Sequence, residues 1–236
     1  MVIANNAPVR IRTGVTAEMT VNPPTIKPRP IYGSVLSLVG DTPTIPYPGR
    51  PGLYLKLESF NPTWTVADRL MLNATVDGSE IRFAGEPEVC ASAALLGCAL
   101  QLPVTFAAAR PSPSLLIAHA LGGKEVQSVE STLRISPMAA MKMLVEEIRA
   151  EVAALSAILV PADSPLQCAV EEIDGISIVW AQQADDAGSE HHRLARAGIF
   201  IDPGSAACFA AFTATARGPV VAVATGGGAL ACAGPS

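Results

Sequence analysis

The stretch Ile81–Ala109, IRFAGEPEVCASAALLGCALQLPVTFAAA, decides the fold class. IRFAG reads as a strand, EPEVCASAALLGCALQ as an Ala-rich buried helix, and LPVTFAAA as a second apolar strand. Beyond it, SPSLLIAHALGG (112–123) is a helix closed by glycine, and KEVQSVES (124–131) alternates at the strand period. Strand–helix–strand–helix–strand at this spacing predicts a parallel sheet with helices on its faces, because parallel neighbours need a crossover and helices supply it.

Working outward, LYLKLESF (53–60) alternates apolar and polar residues and predicts a strand, while SVLSLVG (34–40) is a short apolar helix or strand stopped by Gly40. NPTWTVADRLMLNATV (61–76) begins as a loop and becomes a helix, with Thr65 as the N-cap and Asp68 in the first turn. Residues 137–159 carry apolar side chains at helical spacing and predict one long helix. ISIVWA (176–181) is a strand, HHRLARAG (191–198) a helix ended by glycine, GSAACFAAFTATARG (204–218) a small-residue helix, and PVVAVATGGG (219–228) a strand and turn. The expected architecture is three-layer α/β, with mostly parallel sheets and helices on both faces. Residues 1–32, rich in Pro, Asn and Thr, are expected as an extended N-terminal arm. Residues 33–53 and 136–236 are expected as a larger α/β domain, and 54–135 as a smaller one.

Composition narrows the function. Half of the 236 residues are hydrophobic, and 21 Asp+Glu against 16 Lys+Arg give a net charge of −5. That balance argues against nucleic acid, whose phosphates call for clustered cations. The uncharged run 218–236 is broken by Gly and Pro, so a buried strand and glycine turn is expected there rather than a membrane span. The N-terminus lacks a signal-peptide layout. The five cysteines (Cys90, Cys98, Cys168, Cys208, Cys232) are odd in number and set among apolar residues, as free thiols in the cytoplasm would be.

Four short elements come in a telling order: Gly40-Asp41-Thr42-Pro43, Leu55-Lys56-Leu57-Glu58, Asn61-Pro62-Thr63 and Val66-Ala67-Asp68-Arg69. As an ordered set they resemble the opening of the fold-type II pyridoxal-phosphate enzymes, the cysteine synthase and threonine synthase superfamily. There the elements read GNTP, KLE, and NPTGS followed by Val or Phe and then KDR. LGGKEV (121–126) looks like that family's GAEV element, and RLARAGIFIDPGSAACFAAF with VVAVATGGG looks like its closing helix and last strand. The resemblance covers residues 34 to about 135 and 190–230. It implies a truncated tryptophan synthase β-like fold and a cofactor cleft.

The same resemblance marks departures. The family's Schiff-base lysine precedes Asp-Arg, and here that position is Ala67, which has no amine to offer. The glycine of the NPTG element is Trp64. The family's S-G-N-T loop aligns with Ala84-Gly85-Glu86-Pro87, placing a carboxylate where a substrate carboxylate is bound. No glycine-rich phosphate loop is found between Leu159 and Ala195. Thr225 matches the hydroxyl that meets the pyridine nitrogen in threonine synthase-like members.

Other constellations carry less. Glu190-His191-His192, with Asp185 and Asp186 nearby, is a poor metal site, since adjacent helical residues point about 100° apart; a solvated first turn is the simpler reading. His119 reads as a satisfied core or edge residue. Glu146, Glu147, Arg149 and Glu151 read as a solvent-facing stripe, and Glu86 and Glu88 as helix N-terminal carboxylates, with an acid/base couple as the alternative.

The expectation is therefore a protein independent of pyridoxal phosphate, with no cofactor or metal, that acts by binding as a homodimer or with an active paralogue. The alternative is a cofactor-free enzyme, a lyase or cyclase, that reuses the cleft for acid/base chemistry on a small molecule. Candidate catalytic residues for the alternative are Glu86, Asp68 and Glu88. Ala67, Glu86 and Thr225 mark vestigial cofactor positions, and Trp64, Thr65, Ala67 and Thr225 are pocket candidates.

Overall fold

The computed structural model describes residues 9–12, 18–21, 34–182, 187–211 and 218–226. The chain divides into two units, Met1–Tyr32 and Gly33–Ser236. In the first, β1 (Val9–Arg12) and β2 (Glu18–Val21) pair antiparallel with Val9 opposite Val21.

The second unit runs β3 (Thr44–Pro46), β4 (Leu53–Leu57), α1 (Asp68–Met71), β5 (Thr75–Val76), β6 (Ile81–Gly85), α2 (Pro87–Leu100), β7 (Val104–Ala108), α3 (Ser114–Ala120), β8 (Lys124–Glu125) and β9 (Leu133–Arg134). It continues through α4 (Pro137–Glu151), β10 (Ala157–Pro161), β11 (Glu172–Ile173), β12 (Ile176–Ala181), α5 (Ala187–Arg196), α6 (Pro203–Ala211) and β13 (Val220–Ala224). Strands β6, β7 and β8 form a small parallel sheet, as the Ile81–Ala109 pattern predicts. Helix α2 takes Pro87 as its first residue, where the missing N–H costs nothing. It lies close on β7: a Cβ on Gly97 would sit 2.1 Å from Val104 Cγ2, so only glycine fits.

The large sheet has the order β11-β12-β10-β13-β4-β3, parallel across β12, β10, β13 and β4 and antiparallel at both edges. Its central strands are apolar on both faces, and their residues alternate between two cores. Ile158, Val160, Val221 and Val223 pack with Met141, Leu144 and Ile148 of α4, while Ala157, Leu159, Val220 and Ala222 pack with Leu194 of α5 and Phe209 of α6. Helices therefore cover both faces, and the three-layer mostly parallel architecture is the one expected from sequence.

Several boundaries differ from that expectation. The helix predicted over 137–159 ends at Glu151, and Ala157–Pro161 is a fully buried strand at the centre of the sheet. A short apolar run has no periodicity to separate the two, and pairing on both sides decides it. Leu53–Leu57 joins the large sheet beside β13. KEVQSVES pairs only at Lys124–Glu125. Val220–Ala224 is a buried strand, and residues 227–236 lie outside the described ones, as does Cys232. Among the described residues no helix is long and apolar enough to cross a membrane. The four described cysteines are free; Cys90 and Cys208 are buried, and burial pushes the Cys90 thiol up to about 12.

Beneath the sheets lies a polar web. Arg69 donates from Nε to Glu58 at 2.7 Å and from Nη2 to its other oxygen at 2.9 Å, a bidentate pair whose side chains are 2% and 0% exposed. Thr42 donates to Glu58 at 2.8 Å, and Asn61 donates to Glu58 at 2.7 Å and to the Thr65 carbonyl at 3.1 Å while accepting from the Gly40 N–H at 3.0 Å. Gly40 has φ +83°, and a Cβ there would meet Glu147 at 3.2 Å. Helix α4 closes the web: Glu147 accepts from Arg69 at 2.7 Å and contacts Lys56 Nζ at 2.6 Å, and Glu151 accepts from Lys56 at 2.8 Å. Glu147 thus turns inward, whereas the sequence reading put the whole stripe in solvent; Glu146, Arg149 and Glu151 do face water, Glu151 while reaching Lys56 from the surface.

Two outcomes follow from the burial of these groups. Glu58→Ala strands a buried guanidinium and should cost about 3–5 kcal/mol, whereas Glu151→Ala removes a partly solvated partner and should cost about 1 kcal/mol or less; urea unfolding separates them. Burial alone would raise the Glu147 carboxyl, but hydrogen bonds and charge from Arg69, then Lys56, more than offset this and hold it below its ordinary value. Such a group adds stability above its unfolded value, about 4.3, and loses it as pH falls through the lower folded value. The stability gap between the native chain and Glu147→Gln should be full at pH 7 and shrink once pH drops below about 4.3, as urea midpoints at a series of pH values would record.

Candidate functional site

A cleft of about 340 Å³ opens where the two parallel sheets end. Glu86 follows β6, Arg110 follows β7, Asp163 follows β10 and Thr225 follows β13, and all four line it. Ligands in open parallel sheets bind outside the carboxyl ends of strands, because connecting loops converge there. The loop Thr63–Thr65 forms another wall.

Of the pocket candidates, Trp64, Thr65 and Thr225 line the cleft. Trp64 is half-exposed and does not fill it. Its φ is +63°, the left-handed region that favours glycine, so a bulky residue occupies a glycine conformation. Thr65 is not the helix N-cap residue itself, but its hydroxyl accepts from the Ala67 N–H at 3.2 Å, and its backbone bridges Gly226. Ala67 is fully buried among core side chains, outside the cleft lining.

The catalytic candidates separate. Asp68 is enclosed and does not line the cleft. It accepts from the Thr63 N–H at 2.7 Å, from the Thr63 hydroxyl and from the Ser92 hydroxyl at 2.6 Å, which ties the loop to α2. Burial raises its carboxyl, and the donors of Ser92 and Thr63 hold it back. Glu86 and Glu88 do line the cleft and face the same cation, Arg110, at 3.1 and 3.4 Å. Glu86 caps α2 through its backbone alone, and its side chain is 54% exposed, so it is a solvated, paired carboxylate. Glu88 also receives Ser112 and Ser114 hydroxyls, each at 3.4 Å.

The sequence reading missed Arg110, Ser112, Ser114, Asp163 and Asp202. For Arg110 and Asp163 the signal was available: each follows an apolar strand of a parallel sheet by two residues. For Asp202 it was the cap pattern Asp-Pro-Gly-Ser before a helix. Asp202 accepts from the Ser205 N–H at 2.7 Å, the Ser205 hydroxyl at 2.6 Å and the Gly226 N–H at 3.1 Å. Its own carboxylate thus fills the donor nest at the start of α6. Burial raises this carboxyl, and the same donors oppose the rise. Ser205 Oγ also accepts from the Thr225 N–H at 3.1 Å and lies 3.2 Å from its hydroxyl, so Thr225 is held by the chain itself.

No described lysine lines the cleft; Lys56, fully buried, is committed to Thr42, Glu147 and Glu151. No group of three or more His, Cys, Asp or Glu among the described residues could hold a metal ion, and Asp185 and Asp186 lie outside those residues. Glu190 is buried against Tyr47 and Arg193 instead of forming a solvated turn. His119 is satisfied by the Gly123 carbonyl and Glu125 at the sheet edge.

Solved structures share this fold. Cysteine synthase from Entamoeba histolytica aligns with a TM-score of 0.66 and 14% identity over 92% of this chain and 93% of its own. A lysine-to-alanine mutant of O-ureido-L-serine synthase, with O-ureido-L-serine bound, aligns with a TM-score of 0.62 and 18% identity over 85% of this chain and 92% of its own. A hydrogen sulfide-producing enzyme from Fusobacterium nucleatum aligns with a TM-score of 0.60 and 14% identity, covering 85% and 98%. No protein-family model and no curated protein matches the chain. The fold is that of the cysteine synthase-type, fold-type II pyridoxal-phosphate enzymes.

The backbone at position 64 gives a direct test. A non-glycine residue in the left-handed region costs roughly 1–2 kcal/mol, and the half-exposed Trp64 ring recovers little by burial. Trp64→Gly should therefore be more stable than Trp64→Ala by about 1 kcal/mol, the reverse of the order found within a helix, with thermal unfolding as the measure.

Proposed function

We propose that this chain is a cofactor-independent relative of the cysteine synthase-type enzymes that acts by binding, as a homodimer or with an active paralogue. The observation that carries the reading is the state of the cleft's donors. Arg110 is turned to Glu86 and Glu88, and the N–H groups of Ser205 and Gly226 are turned to Asp202. Pyridoxal phosphate is an anionic aldehyde: it needs an amine for attachment and free N–H groups for its phosphate. Here no described lysine faces the cleft, and the nest that could cradle a phosphate holds a carboxylate of the chain. The described residues do not fit the cofactor.

Binding without the lysine has a parallel among the structural neighbours, where the lysine-to-alanine O-ureido-L-serine synthase holds O-ureido-L-serine. The acid/base alternative draws less support: Asp68 is enclosed, and Glu86 is solvated and paired with Arg110. The test is incubation with pyridoxal phosphate followed by dialysis and borohydride reduction. The protein should retain no cofactor absorbance and no reduced adduct on a cleft residue; a stoichiometric adduct there would contradict the reading.

A further inference from the structure

We infer that the cleft binds a small organic cation, a molecule carrying an ammonium or guanidinium group. This rests on the reading that pyridoxal phosphate does not occupy the cleft, and it names the ligand class that does.

Charge is the first ground. Glu86, Glu88, Asp163 and Asp202 line the recess, and Arg110 is the one cationic side chain among the described lining residues. In a concave site with low-dielectric walls, like charges reinforce one another and draw in the opposite sign. An anion entering here meets carboxylates on both walls.

The hydrogen-bond balance is the second ground, independent of net charge. A carboxylate has about four acceptor sites. Glu86 receives one contact, from Arg110 at 3.1 Å, and the contacts to Glu88 from Arg110, Ser112 and Ser114 are all 3.4 Å. Ordinary bonds to oxygen run about 2.7–3.2 Å, so the contacts to Glu88 are loose, and Glu86, with a single ordinary bond, keeps acceptor sites to spare. Arg110 and the N–H groups of Ser205 and Gly226 are spent on the chain's own carboxylates, and the Thr225 and Ser114 N–H groups on serine hydroxyls. The unfilled capacity of the cleft is acceptor capacity, and an ammonium or guanidinium supplies donors and no acceptor.

Arg110 itself supplies the third ground. Its guanidinium already spans Glu86 and Glu88 while remaining 57% exposed, so this carboxylate pair accommodates a planar cation and can exchange it for another. Trp64 adds a half-exposed indole at the cleft wall, suited to lie against a cationic head or its hydrocarbon stem. A volume of about 340 Å³ limits the ligand to a small molecule.

Isothermal titration calorimetry of the full chain with agmatine tests this, with inorganic phosphate and pyridoxal phosphate as anionic controls. Agmatine should bind the native protein, more weakly at high salt, and the anions should not. Because Arg110 competes with the ligand, Arg110→Met should tighten agmatine binding by about tenfold, and Glu88→Gln should weaken it by about tenfold, the scale of one charge-assisted hydrogen bond. Both side chains reach the surface of the cleft, and circular dichroism checks that the variants fold. Absence of agmatine binding in both the native chain and Arg110→Met would overturn the inference, as would weaker binding in Arg110→Met. If pyridoxal phosphate also fails to bind, only this inference falls. If pyridoxal phosphate binds and Arg110→Met abolishes that, the cofactor-independent reading falls with it.

Discussion

The rest of the second unit depends on one buried ion pair, Arg69 with Glu58. Two parallel hydrogen bonds join them, and neither side chain has appreciable access to water. Groups from different segments then answer the remaining lone pairs and N–H donors: Thr42 from the first loop, Asn61 from the turn after β4, and Glu147 from α4. Lys56, a charged residue within an otherwise apolar strand, is held by the same Glu147 and by Glu151. A buried pair of this kind adds little over well-packed apolar residues, but removing one member leaves an uncompensated charge. The whole set is therefore kept or lost as a unit. It fixes where β4, α1 and α4 meet, and through Asn61 and Thr65 it fixes the loop that walls the cleft.

The resemblance carried by the sequence motifs has a physical basis in these contacts. Gly40, Thr42, Lys56, Glu58, Asn61 and Arg69 belong to that web, and Thr63 and Asp68 form a second one with Ser92. Apart from Ser92, these are positions at which the chain matches the cysteine synthase-like pattern. Trp64 and Glu86, where it departs, line the cleft, and Ala67 packs into the core beside it. Scaffold and cleft are thus separable: the packing and hydrogen bonding that hold the sheets together do not require the groups that a cofactor would use. The cleft carries carboxylates at strand ends while the buried webs stay intact.

Ile81–Ala109 was enough to read the parallel sheet, because a helix between two apolar strands leaves few other arrangements. Position 157 was not legible in the same way, since Ala-Ile-Leu-Val follows a helix with no break in apolar character and only pairing to β12 and β13 makes it a strand. Glu147 was misplaced for a related reason. A helical wheel shows which residues share a face but not that a lysine from a strand far away in sequence waits beneath that face. At the site, Trp64, Glu86 and Thr225 were legible through the resemblance. Arg110, Asp163 and Asp202 were not, because they lie in loops and act together only once the strands align side by side.

The buried webs hold a pyridoxal-phosphate enzyme fold around a cleft in which Arg110 and the N–H groups of Ser205 and Gly226 are turned to the chain's own carboxylates, the ground for the proposal that this cleft does not take that cofactor. Native mass spectrometry of the protein purified from its own host tests this most directly. The expected result is a chain, or an oligomer of chains, at a mass free of pyridoxal phosphate. A stoichiometric mass increment equal to pyridoxal phosphate, retained through purification, would contradict it.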